Sequence, residues 1–268
     1  MAREEPPVTA LVRGLQVLEA FGRRGFSLPL ADLTEDLKLP KSTVYRLLNT
    51  LMARGYVQQP VKGGAYCLGP AVLDLGFSVL DGLEVREAAQ PFLEALFQEV
   101  EANVNLCILE TGGLEVMYVA RYRRREVLSL NLNVGSRLPS YNSSPGRVLL
   151  AHLPAAERRQ ALTRLMADPQ AGSWLRGRQV DLAAVLDEVR HQGYAINDGD
   201  YLPELFAMAA PVWDQDGQVT AAVNVALVKH RQDGRALFQR LRGPVLACAR
   251  RLSAVMSHRP PRLSLPQA

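Results

Sequence analysis

Cysteine is scarce in this chain of 268 residues. Cys67, Cys107 and Cys248 lie far apart, are odd in number and form no CxxC pair. That suggests neither a disulfide framework nor a thiolate zinc site, and it suits reduced, buried thiols in a cytosolic protein. No apolar run approaches the roughly 18 residues of a membrane span. The first residues, MAREEPP, put acids and prolines where a secretion signal needs an apolar stretch. The four histidines, at 152, 191, 230 and 258, show no metal-ligand spacing. There is no GxGxxG, P-loop or GxSxG, so no enzyme class gains a foothold and no metal or cofactor is expected. Asp198 and Asp200 flank Gly199 and read as a polar loop rather than a carboxylate pair. Internal repeats and low-complexity tracts are also missing.

What is present fits two compact domains. Hydrophobic residues make up 48% and charged residues 22%, ordinary values for a chain with a sizeable core. The formal net charge is +4. Residues 1–69 hold nine Lys/Arg against six Asp/Glu, so +3 of it sits in the first quarter. A basic N-terminal end permits a polyanionic partner without demonstrating one.

Three short helices are expected in that quarter. Leu11, Leu15 and Leu18 mark the first, which Phe21-Gly22 ends. Leu30, Leu33 and Leu37 mark the second, with Pro29 suiting its start. The third begins near Lys41-Ser42, with Val44, Leu47, Leu48 and Leu51 on one face, and ends at Arg54-Gly55. Strand-like runs at 56–59 and 65–68 follow as a hairpin around Val61-Lys62-Gly63-Gly64. This is the pattern of a helix-turn-helix with a wing. The third helix presents Lys41, Ser42, Thr43, Tyr45, Arg46 and Thr50. Its Ser and Thr residues suit phosphates near the helix start, and Arg46 can reach a base edge in the major groove. Lys62 at the hairpin tip can reach a flanking phosphate. A small helical bundle with a solvated polar face is the plainer alternative.

Gly69-Pro70 closes this unit, and 71–83 reads as a connecting helix. Beyond it are expected a helix at about 87–101, strands at 103–109, 115–121 and 127–132, and helical stretches at about 144–151, 155–166 and 179–192. Strands at 206–213 and 219–227 flank the turn at Asp214–Gly217, and a helical region at about 234–257 is expected to break at Gly243-Pro244. The mixture is α+β. In YNSSPGRVLL, Ser143 or Ser144 can cap a helix that Pro145 opens. Free N–H groups of Gly146 and Arg147, with the Ser hydroxyls, could then bind a carboxylate-sized anion. An ordinary capped helix fits the same residues. The basic cluster from Arg121 to Arg125 reads as a solvated loop at a strand end, with an oligomer or auxiliary anion contact as the other readings.

LPLADLTEDLKLPKSTVYRLLNTLMARGYVQQ followed by GGAYCLGPAVLDLG resembles the N-terminal signature of the IclR family of bacterial regulators. The resemblance continues through VMYVARY, NVGSRLPSYNSSPGRVLLAHLP, VRHQGYAINDGDY and MAAPVWDQDGQVTAAVNVA, covering about residues 9 to 256. It implies an N-terminal winged helix-turn-helix, a linker helix and a GAF-like mixed α/β effector domain, in a homodimer or dimer of dimers on a palindromic operator of double-stranded DNA. The implied divisions are a disordered arm at 1–8, the DNA-binding domain at 9–69, the linker helix at 70–86, the effector domain at 87–257 and a disordered tail at 258–268.

The resemblance also places an effector pocket at Asn142, Ser143, Ser144 and Gly146, at the loop carrying Asn197 and Asp198, at the strand start with Leu205 and Ala207, and at Asn224. Within the family, LSLNLNVGSRLPSYNSSPGRVLL is similar to regulators of aromatic-acid (protocatechuate and 4-hydroxybenzoate) catabolism. Two residues depart from the pattern. Pro145 stands where Leu or Met is usual and removes an N–H donor. Glu204 stands where glycine is usual, and a carboxylate at the pocket would repel an acidic effector and favour a hydroxyl-bearing or cationic one. The expectation is a DNA-binding regulator controlled by a small molecule. The other possibility is a regulator whose C-terminal domain only oligomerises.

Overall fold

The computed structural model describes residues 7–124, 132–229 and 233–257. The chain divides into two compact units, up to Gly82 and from Leu83. The expected tail and most of the expected arm lie outside the described residues, as does the expected strand at 127–132 apart from Leu132.

The first unit holds α1 (Thr9–Arg24), β1 (Ser27–Leu28), α2 (Leu30–Leu37), α3 (Lys41–Ala53), β2 (Val57–Gln58), β3 (Tyr66–Leu68) and α4 (Ala71–Gly82). Val17, Phe21, Leu33, Val44, Leu48 and Val57 are buried together, so the apolar faces of the three helices meet as the periodicity requires. Lys38 ends α2 in the left-handed conformation, which turns the chain sharply into Leu39-Pro40 and α3. Arg23 and Arg24 of α1 each reach Asp36 of α2 at 3.0 Å. The Arg23 hydrogen bond, with both guanidinium charges, holds Asp36 below its ordinary carboxylate range. The two-residue β1, not expected from the pattern, pairs with β3, so the wing is a three-stranded sheet in the order β1-β3-β2. Gly69 closes it because the backbone comes too close for a side chain: a Cβ there would lie 2.1 Å from the Gly55 carbonyl oxygen.

The second unit is α+β. It runs α5 (Glu84–Val100), β4 (Asn103–Leu109), β5 (Glu115–Tyr122), β6 (Arg137–Pro139), α6 (Ser144–His152), α7 (Ala155–Ala167), α8 (Pro169–Gly177), α9 (Leu182–Gln192), β7 (Ala195–Asp198), β8 (Leu205–Trp213), β9 (Val219–Val228) and α10 (Gly234–Met256). The strands form one antiparallel sheet in the order β6-β5-β4-β9-β8-β7. One face carries α5 and α10, and the other carries α6. Every residue of α6 from Ser144 to Ala151 is buried, as expected of a helix enclosed on all sides.

Several elements differ from expectation. β6, β7 and α8 are short and have no clear period of their own. Asp168 caps α8 by accepting from the Ala171 N–H at 2.7 Å. The last helix does not break at Gly243-Pro244 but runs through Pro244. Its face of Leu237, Leu241, Val245, Cys248, Leu252 and Met256 is buried without interruption, and that burial outweighs the hydrogen bond lost at proline.

Candidate functional site

On α3, burial sorts the residues as the helical period demands. Val44 and Leu48 are buried, while Lys41, Ser42, Tyr45, Arg46 and Thr50 are exposed and Thr43 is half-buried. The exposed set forms a polar strip on a helix whose first turn follows Pro40. The Thr50 hydroxyl donates to the Arg46 carbonyl at 3.1 Å, so it brings an acceptor and a methyl group outward rather than a donor. Lys62 is exposed in the turn of the β2–β3 hairpin, which Gln59 braces by donating to the Gly64 carbonyl at 2.8 Å.

The second unit holds a cavity of about 40 Å³ between the sheet and the start of α6, room for a few waters. Strand register builds its floor. Arg121 on β5 is paired with Asn105 on β4, and Asn105 with Asn224 on β9. Two residues along, and therefore on the same face, Asn103, Ala226, Ala207 and Asn197 form a second row across β4, β9, β8 and β7. Both rows line the cavity, and Ser143, Ser144, Pro145 and Tyr201 close it. An irregularity in the β4–β5 pairing sets Tyr118 opposite Cys107 while Leu106 faces Ala120. The skipped residue brings Tyr118 onto the same face as Arg121, with the guanidinium carbon 5.7 Å from the ring centroid.

Hydrogen bonds order this floor. Asn224 Nδ2 donates to the Met208 carbonyl at 3.3 Å and to Ser144 Oγ at 3.1 Å. A carbonyl can only accept, so the Asn224 amide is fixed with its oxygen toward Asn105, whose Nδ2 donates to it at 2.8 Å. Asn105 Oδ1 is thereby left without a partner among the described residues, although Asn105 is only 1% exposed. Arg121 Nε is likewise buried and unpartnered among the described residues. Burial pushes the Arg121 guanidinium below its ordinary ionisation range, and it pushes the Tyr118 phenol and the Cys107 thiol well above theirs.

Of the residues expected at the pocket, Ser143, Ser144, Asn197, Leu205, Ala207 and Asn224 line the cavity. Asn142, Gly146 and Asp198 do not. Asn142 lends its carbonyl to the Asn197 amide. A Cβ on Gly146 would lie 2.2 Å from the Ser140 carbonyl oxygen, so this glycine serves close packing. Asp198 accepts from Lys229 Nζ at 2.7 Å. The expected free N–H of Arg147 is used within the helix, donating to the Ser143 carbonyl at 3.0 Å, and its guanidinium pairs with Asp200 at 2.7 Å. Glu204 is exposed and lines no part of the cavity, so it does not impose the repulsion expected of it. The residues missed were Asn103, Asn105, Tyr118 and Tyr201, while Arg121, expected in a solvated loop or as an auxiliary anion or oligomer contact, lies on β5 and lines the cavity. Asparagines at alternate positions of the otherwise apolar run NVNLCIL were a usable signal for the first two.

A winged helix-turn-helix followed by an α+β unit with a polar-floored cavity defines a DNA-binding regulator with an effector domain. Comparison with known proteins agrees. The profile of the IclR helix-turn-helix domain matches residues 10–60, and that of the bacterial transcriptional regulator IclR C-terminal region matches residues 77–254. The chain belongs to the IclR family of bacterial transcriptional regulators. It is 34% identical over 246 residues to the Pca regulon regulatory protein of Pseudomonas putida, covering 91% of this chain and 83% of that one. An IclR family transcriptional regulator from Brucella abortus superposes with a TM-score of 0.77 at 26% identity, over 95% and 96% of the two chains. An IclR homologue from Microbacterium hydrocarbonoxydans, solved in complex with 4-hydroxybenzoate, shares the fold with a TM-score of 0.72 at 24% identity, over 92% and 100%. No described helix is long and apolar enough to cross a membrane.

Proposed function

We propose that this protein binds a palindromic operator in the bacterial cytoplasm and that a small carboxylic acid in the cavity changes its grip on DNA or its promoter activity. Residues 9–69 read the operator, 70–86 link, and 87–257 sense. Lys41, Ser42 and Thr43 meet phosphates, Arg46 reads a base edge beside Tyr45 and Thr50, and Lys62 meets a flanking phosphate. Ser143, Ser144, Asn197, Leu205, Ala207 and Asn224 touch the effector. Asn142 and Gly146 shape the wall, and Asp198 anchors Lys229.

The observation that carries the effector half is the buried amide–hydroxyl chain Asn105–Asn224–Ser144, which ends in an unpartnered acceptor at a cavity. Leaving such an acceptor unpaired costs about 1–3 kcal/mol, and a ligand or ordered water that supplies the donor recovers it. The cavity holds only a few waters, so an effector of benzoate size must shift α6 or the lining side chains. Forms with and without it then differ in shape, which supplies the differential binding behind a ligand-driven change in DNA affinity. A second copy of the chain covers the exposed apolar residues of α4, with Leu73 and Phe77 on one side and Leu75 and Val79 on the other, all at least half exposed. That gives the homodimer, or dimer of dimers, that a palindrome needs.

The test is selection of operator DNA from a random pool by the full chain, followed by titration of the selected duplex at fixed salt with and without small acids. 4-Hydroxybenzoate, held by a homologue of the same fold, is the first acid to try. Arg46→Ala should lose about 1–3 kcal/mol of affinity with unchanged thermal unfolding. Equal affinity would remove Arg46 from the reading face. If no acid changes DNA affinity, promoter activity or melting temperature, the acidic-effector reading falls and a C-terminal domain that only oligomerises is favoured.

A further inference from the structure

Part of the expected anion site at the start of α6 is taken up by the protein's own hydrogen bonds. The Arg147 N–H donates to Ser143, the Ser143 hydroxyl donates to the Pro139 carbonyl at 2.6 Å, and the Arg147 guanidinium is neutralised by Asp200. The charge available to the cavity lies at its other end, on β5. Arg121 lines the cavity, faces the Tyr118 ring, and forms no ion pair among the described residues. Its register neighbour Asn105 lines the same cavity with an open acceptor. Cross-strand partners lie about 5 Å apart at Cα, so one small molecule can meet both.

We infer that Arg121 is the residue that recognises effector charge, receiving the carboxylate of a small acid while Asn105 Oδ1 accepts from a hydroxyl on the same molecule. This rests on the reading of the cavity as the site of an acidic effector and adds which residues recognise its carboxylate and a hydroxyl. A half-buried guanidinium whose Nε is shut off from water, with no carboxylate in reach among the described residues, is an unfavourable arrangement until an anion arrives. Its planar fork fits a carboxylate with two parallel N–H donations. Among the described residues, Arg121 is the charged side chain that lines the cavity, and the rest of the lining is Asn, Ser, Tyr and apolar. The site therefore selects for negative charge and rejects cations. Asn105 adds a preference for a hydroxy acid over the plain acid, because the plain acid leaves its oxygen unpaired.

The experiment is calorimetric titration of the full-length protein with benzoate, its monohydroxy derivatives, 3,4-dihydroxybenzoate and lactate, each compared with its amide. The titrations are repeated on Arg121→Gln and Arg121→Lys after their melting temperatures have been checked. The expected result is that at least one hydroxy acid binds and its neutral amide does not. Arg121→Gln should weaken that acid roughly ten- to a hundredfold, and Arg121→Lys should restore part of the loss. If Arg121→Gln binds the acid as tightly as the parent, or if the amide binds as well as the acid, the charge assignment is overturned while the cavity reading stands. If the plain acid matches every hydroxy acid, the Asn105 assignment is overturned. If the parent binds none of the compounds, both the inference and the effector reading fall.

Discussion

His152 shows how one residue couples the fold to pH. Its Nδ1 lies 2.8 Å from the Val148 carbonyl, which can only accept, so the neutral ring carries its proton there. The ring meets Trp213 edge-on, with centroids 5.1 Å apart. Burial pushes its pKa below the ordinary 6.5, outweighing the hydrogen bond to Val148 that favours the charged form. In the unfolded chain the ring takes its proton near pH 6.5. Between that value and the lower folded one, the unfolded state therefore binds more protons. The stability linked to His152 is complete above pH 6.5 and is lost as pH falls through the folded pKa. Melting temperatures from pH 8 to pH 5 should fall more steeply for the parent than for His152→Gln. Parallel curves would show that the ring titrates freely. Residue identity alone did not predict this: His152 reads as one more helical polar residue until α6 is seen to be buried.

At the scale of elements, α6 and α10 contain glycines with opposite meanings. On α6, a Cβ at Gly146 would meet Ser140 backbone atoms at 2.2 and 2.3 Å, and backbone cannot step aside as a side chain can. On α10, a Cβ at Gly243 would have nothing within 4 Å. Gly146→Ala should cost about 1–3 kcal/mol or more, whereas Gly243→Ala should be neutral or gain up to about 1 kcal/mol of helix propensity. Thermal unfolding of the two variants checks both. A harmless Gly146→Ala would mean that α6 can lift away from the sheet at little cost. Long elements with one apolar stripe, such as α3 and α5, were legible because their period is set by local geometry. The strands β1, β6 and β7, of two to four residues, were not, because a run that short shows no period and forms only when a neighbour supplies its hydrogen bonds.

At the scale of the whole molecule, α4 leaves apolar side chains exposed within one copy of the chain. Leu73 is 61% and Phe77 56% exposed, four positions apart and so on one helical face. If the proposed dimer forms through this face, the double change Leu73→Glu, Phe77→Glu should shift sedimentation from dimer to monomer. Operator affinity should drop at least tenfold in the same protein, because two tethered recognition helices bind far more tightly than one. An unchanged dimer would move the self-association surface elsewhere. The apolar periods and turn residues by themselves determined that a helix-turn-helix and an α+β unit follow one another, because those signals are local. Only the tertiary structure decided which polar groups share the cavity. Arg121, Asn105 and Asn224 are far apart along the chain, and antiparallel register on β5, β4 and β9 makes them neighbours. Register depends on how whole strands align, which no short stretch of sequence encodes, and the irregularity beside Val119 moves Tyr118 to a face that simple alternation would deny it.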